Sequence, residues 1–473
     1  MNLKAFKHLV DSSHSDIKYC NDLKALYEYV GLPTNLGFMT RNSVTDELYK
    51  KICASFSSGH GLVWELCNQF KQELIQEQVL DDLPIQPYFS TLEYIMDAIR
   101  PQTNNSDEIS GNWKQAIQYA RDFSHLSNWG NNLSTTNYQR WYEVAYATKK
   151  LQTKGYQFKR ISTEIFFEKE SEDKIVSDIQ SLIKSMGGLN VVRRVLNKVS
   201  DLYNDKQERY HVVRKIPRLG MSGAPQVPLN YILSLSIKHA FSKKPHKNNE
   251  EEWSKLIELA KLYTTVLDVQ NYFPPAFKTY DGKGLLSTLQ TEALYDSLFT
   301  FKQMRPEDSL DILRGLLVGI DFDTPHGSGW SLNAVLETFK TLLELTKNKR
   351  GVQTINKHNL YKQCLPLQPK QIDKVLYDVF CHPKTGANNN YSKATDAPFL
   401  QEKQTELGVD FFLKPLLQDK KGNLYLIDRS ICAPAFIEGV FTELRKTYKE
   451  SFDSKIGTSL ENFLKQKLVG NTP

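Results

Sequence analysis

Residues 331–345 read SLNAVLETFKTLLEL, in which Leu332, Val335, Leu336, Phe339, Leu342 and Leu343 fall on one helical face. Apolar side chains three and four residues apart form a single stripe on a 3.6-residue helix, so this stretch predicts an amphipathic helix with one side buried. The reading extends outward in both directions. In RPEDSLDILRGLLVGI (305–320), Pro306 sits at a helix start, Glu307 and Asp308 fill the first turn, and Leu310, Leu313, Leu317 and Ile320 make the stripe. STLEYIMDAI (90–99) has Ser90 and Glu93 at the spacing of a capping box. Similar segments recur near 21–31, 44–57, 61–80, 112–127, 138–152, 172–203, 229–242, 250–268, 284–304, 369–381 and 432–449. No fixed repeat period links them, which argues against a regular solenoid. The expected fold is mostly α, an irregular multi-helix assembly.

One segment breaks the helical rule. VDFFLKPLLQDKKGNLYLID (409–428) has two short apolar runs around the polar turn Asp419–Asn423, with Gly422 available for a positive φ. It predicts one small β-hairpin near the C-terminal end. Pro415 marks its strand as an edge or as interrupted, and helix 432–449 is expected to cover the hairpin. Three polar or Pro/Gly-rich stretches, 100–112, 214–230 and 382–399, read as loops. This punctuation suggests an N-terminal helical domain at 1–155, a central helical domain at 156–400, and a hairpin-plus-helix module at 401–473.

Composition bounds the class. Of 473 residues, 40% are hydrophobic and 24% charged, as in ordinary globular proteins. No run approaches the roughly 18 apolar residues of a membrane span. The start, MNLKAFKHLVDSSHSD, lacks the apolar block of a signal peptide, and six cysteines are scattered without a CxxC pair. These features predict a cytoplasmic protein with reduced thiols and no membrane contact.

The net charge of +6 is unevenly spread. Between Leu189 and Lys247 stand twelve Lys/Arg against three Asp/Glu, a local net of +9, whereas 72–110 is acidic. Clustered Lys and Arg neutralise phosphates and release counterions, so this region predicts contact with DNA or RNA. The candidate binding residues are Arg193 and Arg194 on a helix, Arg214, Lys215 and Arg218 at a Pro/Gly loop, and Lys243, Lys244 and Lys247 in a polar loop. Tyr210 and Tyr231 are candidate stacking partners for bases. The alternative is a solvated face, or an interface with acidic residues of the same chain, a second copy or another protein.

Catalytic signatures are sparse. There is no GxxxxGK[ST] phosphate loop, GxSxG elbow, HExxH helix or kinase set. GIDFDTPHGSGW (319–330) offers metal-ligand types in Asp321, Asp323 and His326, but reads more simply as a loop with local turn and cap bonds. Three triplets imitate the (E/Q)xK of a Mg²⁺-dependent nuclease: QDK (418–420) after Asp410, EDK (172–174) and QEK (401–403). The first falls on the hairpin turn, the second at a helix start, and the third follows no Asp-bearing strand. None is expected to hold metal, and no cofactor is expected in this chain.

The order of several segments carries a resemblance. QVPLNYILSLSIKHA (226–240), LDVQNYFP (267–274), ALYDSLFTFKQMRPEDSLDILRGLL (293–317), CHPKTGANNNYSKATD (381–396), FFLKPLLQDKKGNLYLID (411–428), CAPAFIEGVFTELR (432–445) and IGTSLENFLKQKL (456–468) follow in turn. From near residue 160 onward the chain resembles the long N-terminal region of large bacterial phage-defence-associated proteins. In these, a mostly helical region precedes a PD-(D/E)XK-like nuclease domain. The resemblance implies a sensor or scaffold region, other defence-system subunits as partners, and Mg²⁺ in any nuclease that follows. It also implies a helix with a characteristic Glu at the nuclease start, a position Glu461 matches. Glu461 has a competing explanation: Thr458-Ser459-Leu460-Glu461 is a T-x-x-E capping box, with Leu460, Phe463, Leu464 and Leu468 docking the helix.

Overall fold

A computed structural model describes residues 1–35, 37–99, 108–126, 138–212, 226–242, 250–267, 297–321, 323–394 and 410–469. Most of loops 100–112 and 214–230, the end of loop 382–399, the start of the expected helix 284–304, and QEK 401–403 lie outside them. The rest of that expected helix, 297–304, is turn and extended chain. The chain is mostly helical, with 17 helices and a few small antiparallel sheets among the described residues. It forms two compact units: Met1–Asp173, Ile216–Pro225 and Leu262–Leu289 in one, and Lys174–Lys215, Gln226–Lys261 and Gln290–Pro473 in the other.

The first unit is built from α1 (Leu3–Ser12), α2 (Leu23–Val30), α3 (Arg41–Ala54), β1 (Phe56–Ser58), α4 (His60–Asp81), α5 (Tyr88–Ile99), β2 (Ser110–Gly111), α6 (Trp113–Leu126), α7 (Gln139–Thr153), β3 (Phe158–Ile161) and β4 (Glu164–Phe167). Asn2, Asp22 and Thr40 cap the first three helices by accepting from backbone amides three residues on. Apolar stripes of α1, α3, α4, α5 and α6 meet in one core, where Phe6 packs on Phe70 at 5.7 Å and Phe56 meets Trp113 edge-on at 5.1 Å. Two buried polar groups are held inside. Asp122 accepts from Tyr29 Oη at 2.7 Å and Ser15 Oγ at 3.1 Å. Lys71, 1% exposed, is paired with Glu93 and the Tyr138 hydroxyl and lies 4.4 Å from the Tyr138 ring centroid. Burial lowers the Lys71 pKa against the raising effect of Glu93.

The expected Ser90–Glu93 capping box does not form. α5 starts two residues before Ser90, whose hydroxyl donates to Pro87 O at 3.0 Å, and Glu93 is engaged by Lys71. Once a helix begins upstream, a T/S-x-x-E pattern inside it has no orphan amide to cap.

The chain continues with α8 (Lys169–Met186), α9 (Gly188–Lys198), β5 (Tyr203–Asn204), β6 (Arg209–Tyr210), α10 (Leu229–Lys238), α11 (Glu250–Leu267), α12 (Pro306–Leu316) and α13 (Leu332–Leu345). The single helix expected over 172–203 is broken at Gly187, where φ is 78°. The break seats α9 against α10: a Cβ on Gly188 would lie 2.3 Å from the carbonyl oxygens of Ser236 and His239. α12 carries Pro306 at its start with Glu307 and Asp308 in the first turn, as expected. In α13 all six stripe residues are buried, and Phe339 stacks on Phe436 at 4.0 Å.

The C-terminal part contains β7 (Gln353–Ile355), α14 (Lys357–Gln363), α15 (Pro369–Lys374), a π-helical turn at Val375–Phe380, β8 (Leu416–Gln418), β9 (Leu424–Leu426), α16 (Arg429–Tyr448) and α17 (Glu450–Val469). The expected hairpin is present as β8–β9, with Gly422 at φ 86° in its turn. β7 adds to β9, giving the order β7-β9-β8, and β8 with its preceding Pro415 is an edge. Further two-stranded sheets form at β1–β2, β3–β4 and β5–β6, so the hairpin at 416–426 has small companions elsewhere. The π turn runs beside Gly439 of α16, where a Cβ would lie 2.7 Å from Val379 O.

The end of the chain departs from expectation. α17 runs unbroken from Glu450, so Thr458 is interior and donates to Ser454 O at 3.2 Å, while Glu461 is exposed and pairs with Lys465 at 2.7 Å. Glu461 is neither a cap nor a member of an acidic cluster. Of the residues expected to dock this helix, Phe463 does so against Gly315, but Leu460 and Leu464 are exposed, and Ser459 joins the contact at Gly319. The absence of a side chain at those glycines lets α17 approach α12 closely, and this selects the face.

Candidate functional site

α9 lies at the start of the basic segment. Val191, Val192, Val195 and Leu196 fill its inner face, which turns Arg193 outward and leaves Arg194 on the shoulder. Arg194 is already engaged: its guanidinium is 2.9 Å from Glu250 and 5.9 Å from the Trp253 ring centroid. Three glutamates open α11, favourably placed at a helix N-terminus, and one of them turns back to this arginine. Arg193 is exposed, and its charge acts on the Tyr425 phenol, opposing the rise caused by burial and by Asp419. Phe241 packs 5.6 Å from Tyr425. Arg214, Lys215, Arg218, Lys243, Lys244 and Lys247 lie outside the described residues.

The two tyrosines expected to stack on bases are core residues. Tyr231 is fully enclosed, donates to Ser392 O at 2.9 Å and meets Tyr391 edge-on. Tyr210 is buried and anchors β6. Their rings are not available to a nucleobase.

Tyr210 belongs instead to a polar knot that sequence reading missed. Its hydroxyl donates to Asp428 Oδ2 at 3.0 Å, and Gly351 N donates to the same oxygen at 2.8 Å. Asp428 Oδ1 accepts from Ser430 N at 2.9 Å and Ser430 Oγ at 2.7 Å. Four donors thus compensate a carboxylate with no exposed surface, which also caps α16. Burial, then the Asp428 charge, pushes the Tyr210 phenol well above its ordinary range. Beside it, Arg429 is 2.8 Å from Glu208, and Arg350 pairs with Asp205 while lying 4.4 Å from the Tyr203 ring centroid. Gln303 Oε1 accepts from Tyr210 N at 2.8 Å. The β5–β6 hairpin, which ends four residues before Arg214, is therefore fixed from several sides. The sequence signal was faint: Asp428 stands where a strand ends and Ser430 follows at cap spacing.

The metal-ligand candidates are not brought together. Asp321 accepts from Asp323 N at 2.9 Å and is held below the usual carboxylate range mainly by Thr324. His326 is buried between Trp330 and Tyr448. Asp419 closes the hairpin turn by accepting from Lys421 N and Asn423 N, and Asp410 caps the short turn Phe411–Leu413. In the EDK triplet, Glu172 accepts from Tyr263 Oη at 3.0 Å. Among the described residues no group of three or more His, Cys, Asp or Glu is placed to hold a metal ion, and no helix is long and apolar enough to cross a membrane. No protein-family model, no curated protein and no solved structure matches this chain.

Proposed function

We propose that the chain is a non-catalytic helical scaffold that contacts nucleic acid through its basic segment 189–247, as the sensing region of a bacterial anti-phage defence protein. The observation that supports this most is the concentration of twelve Lys/Arg against three Asp/Glu in that segment, in a chain whose net charge is only +6. Arg193 extends from a rigid, well-packed helix, the kind of platform that positions a phosphate contact without reading sequence. The segment resemblance supplies the defence context. In a longer chain a Mg²⁺-dependent nuclease would act as effector.

The test is fluorescence anisotropy with short single-stranded DNA, duplex DNA and RNA between 50 and 200 mM salt. Each phosphate contact contributes about −0.9 to the slope of log K against log salt on duplex DNA. The variant Arg193→Glu, Arg214→Glu, Lys215→Glu, Arg218→Glu should therefore flatten the slope by about three to four and weaken binding to every sequence equally. Salt-independent binding, or none by the parent chain, refutes the proposal.

The Arg194–Glu250 pair favours a second reading, in which this face meets acidic side chains of a protein partner or another copy. Loss of assembly in the same variant by light scattering, with nucleic-acid binding absent from the start, would select it.

A further inference from the structure

We propose that the first unit holds a two-ligand site for a soft monovalent metal ion of the Cu⁺ type, with Cys53 and His60 as its protein ligands. Cys53 stands in the last turn of α3 and His60 is the first residue of α4. The link between them is rigid. Gly59 adopts φ 72°, and a Cβ there would lie 2.5 Å from Glu108 O, so the turn is closed against the backbone. This places Cys53 Sγ 3.9 Å from His60 Nε2. Both line a cavity of about 410 Å³ whose wall includes Tyr49, Lys50 and Phe56.

The separation suits a bridging ion. With metal–sulfur and metal–nitrogen bonds of about 2.3 and 2.05 Å, 3.9 Å corresponds to a ligand–metal–ligand angle of about 127°, already wider than tetrahedral. Shorter bonds open it further toward the two-coordinate geometry that d¹⁰ monovalent ions accept. The donors fit too, since thiolate with imidazole favours soft ions over Mg²⁺ or Ca²⁺. Charge then selects the valence. Among the described residues the cavity lining contains no carboxylate, so a thiolate with a monovalent ion is neutral, whereas a divalent ion leaves a net positive charge in the site.

The thiolate is the ligand, so the ion displaces one proton: Cys53–SH and M⁺ give Cys53–S–M and H⁺. His60 is 4% exposed, and its Nε2 is the ring nitrogen turned to the Cys53 sulfur, so a metal bond there would replace a weak thiol hydrogen bond.

The experiment titrates the whole chain with Cu⁺ under reducing, anaerobic conditions against a chromophoric Cu⁺ chelator. The parent chain is expected to take up one equivalent more than Cys53→Ser, with one proton released, and His60→Gln to bind at least tenfold more weakly. X-ray absorption of the bound ion should show one sulfur and one nitrogen neighbour. Uptake by both variants equal to the parent overturns the proposal. Should either variant fail to fold, alkylation of the parent decides: bound Cu⁺ must slow iodoacetamide modification of Cys53 at least tenfold, and unchanged modification overturns the site.

Discussion

Replacing Asp428 by Asn removes a charge but almost no volume, so its effect isolates the polar knot. Asp428 has no exposed surface and accepts from four donors, two at each oxygen. An amide NH₂ in place of Oδ2 would face the Gly351 N–H and the Tyr210 hydroxyl. The hydroxyl can turn and accept, but the backbone N–H cannot, and a buried donor left unpaired costs about 1–3 kcal/mol. The Ser430 bonds at the other oxygen fall from charge-assisted to neutral, losing about 1 kcal/mol each. The total is about 3–5 kcal/mol, a large part of a typical stability of about 5–15 kcal/mol. Tyr210→Phe deletes one donor of four and should cost about 1 kcal/mol. Guanidinium chloride unfolding measures both. Hydrogen exchange followed by mass spectrometry localises the effect, because amides of the peptides containing Gly351 and Ser430 should exchange about 10²- to 10⁴-fold faster in Asp428→Asn. A loss below about 1 kcal/mol, or unchanged exchange in those peptides, would refute the reasoning.

Two further predictions follow from the same structure. Burial raises Asp410 from the ordinary 3.8 to about 6, and its Oδ2 has no hydrogen-bond partner among the described residues. The folded chain therefore keeps this proton between about pH 4 and 6 after the unfolded chain has lost it, so stability falls as pH rises through that window and is level above it. Asp410→Asn should gain up to about 3 kcal/mol on the parent between pH 4 and pH 7, and an equal difference at both pH values sinks the idea. Glu461→Ala should change stability by less than about 0.5 kcal/mol, the worth of an exposed i,i+4 pair. A loss of 1 kcal/mol or more in thermal unfolding would restore the capping role.

The helices were legible where the stripe was long, as in 331–345, because periodicity reports burial directly. Local motifs misled where their context was hidden. Ser90–Glu93 and Thr458–Glu461 have capping-box spacing, but whether a helix starts there depends on residues upstream. Contacts distant in sequence left no mark. Arg194 finds Glu250, β7 joins β9 from some 70 residues away, and Tyr210 finds Asp428. Cys53 and His60 are close in sequence, yet their spacing matches no familiar ligand motif. Their approach depends on a turn at Gly59 that only tertiary packing explains. For the basic segment 189–247, the charge excess was readable. That Arg194 is engaged and two candidate stacking rings are enclosed was not.

The polar knot also sets a schedule for synthesis. Tyr210 and Asp428 are 218 residues apart, and a ribosome adding about 5–20 residues per second needs about 10–45 s to pass from one to the other. The β5–β6 hairpin can close on emergence, since Asn204 Oδ1 accepts from the amides of Lys206 and Gln207 and Tyr203 meets Tyr210 edge-on at 4.9 Å. Its outward tyrosine must then wait for a carboxylate not yet translated. A nascent chain paused before α16 leaves that hydroxyl without its acceptor and that ring uncovered, which separates an unfinished molecule from a finished one.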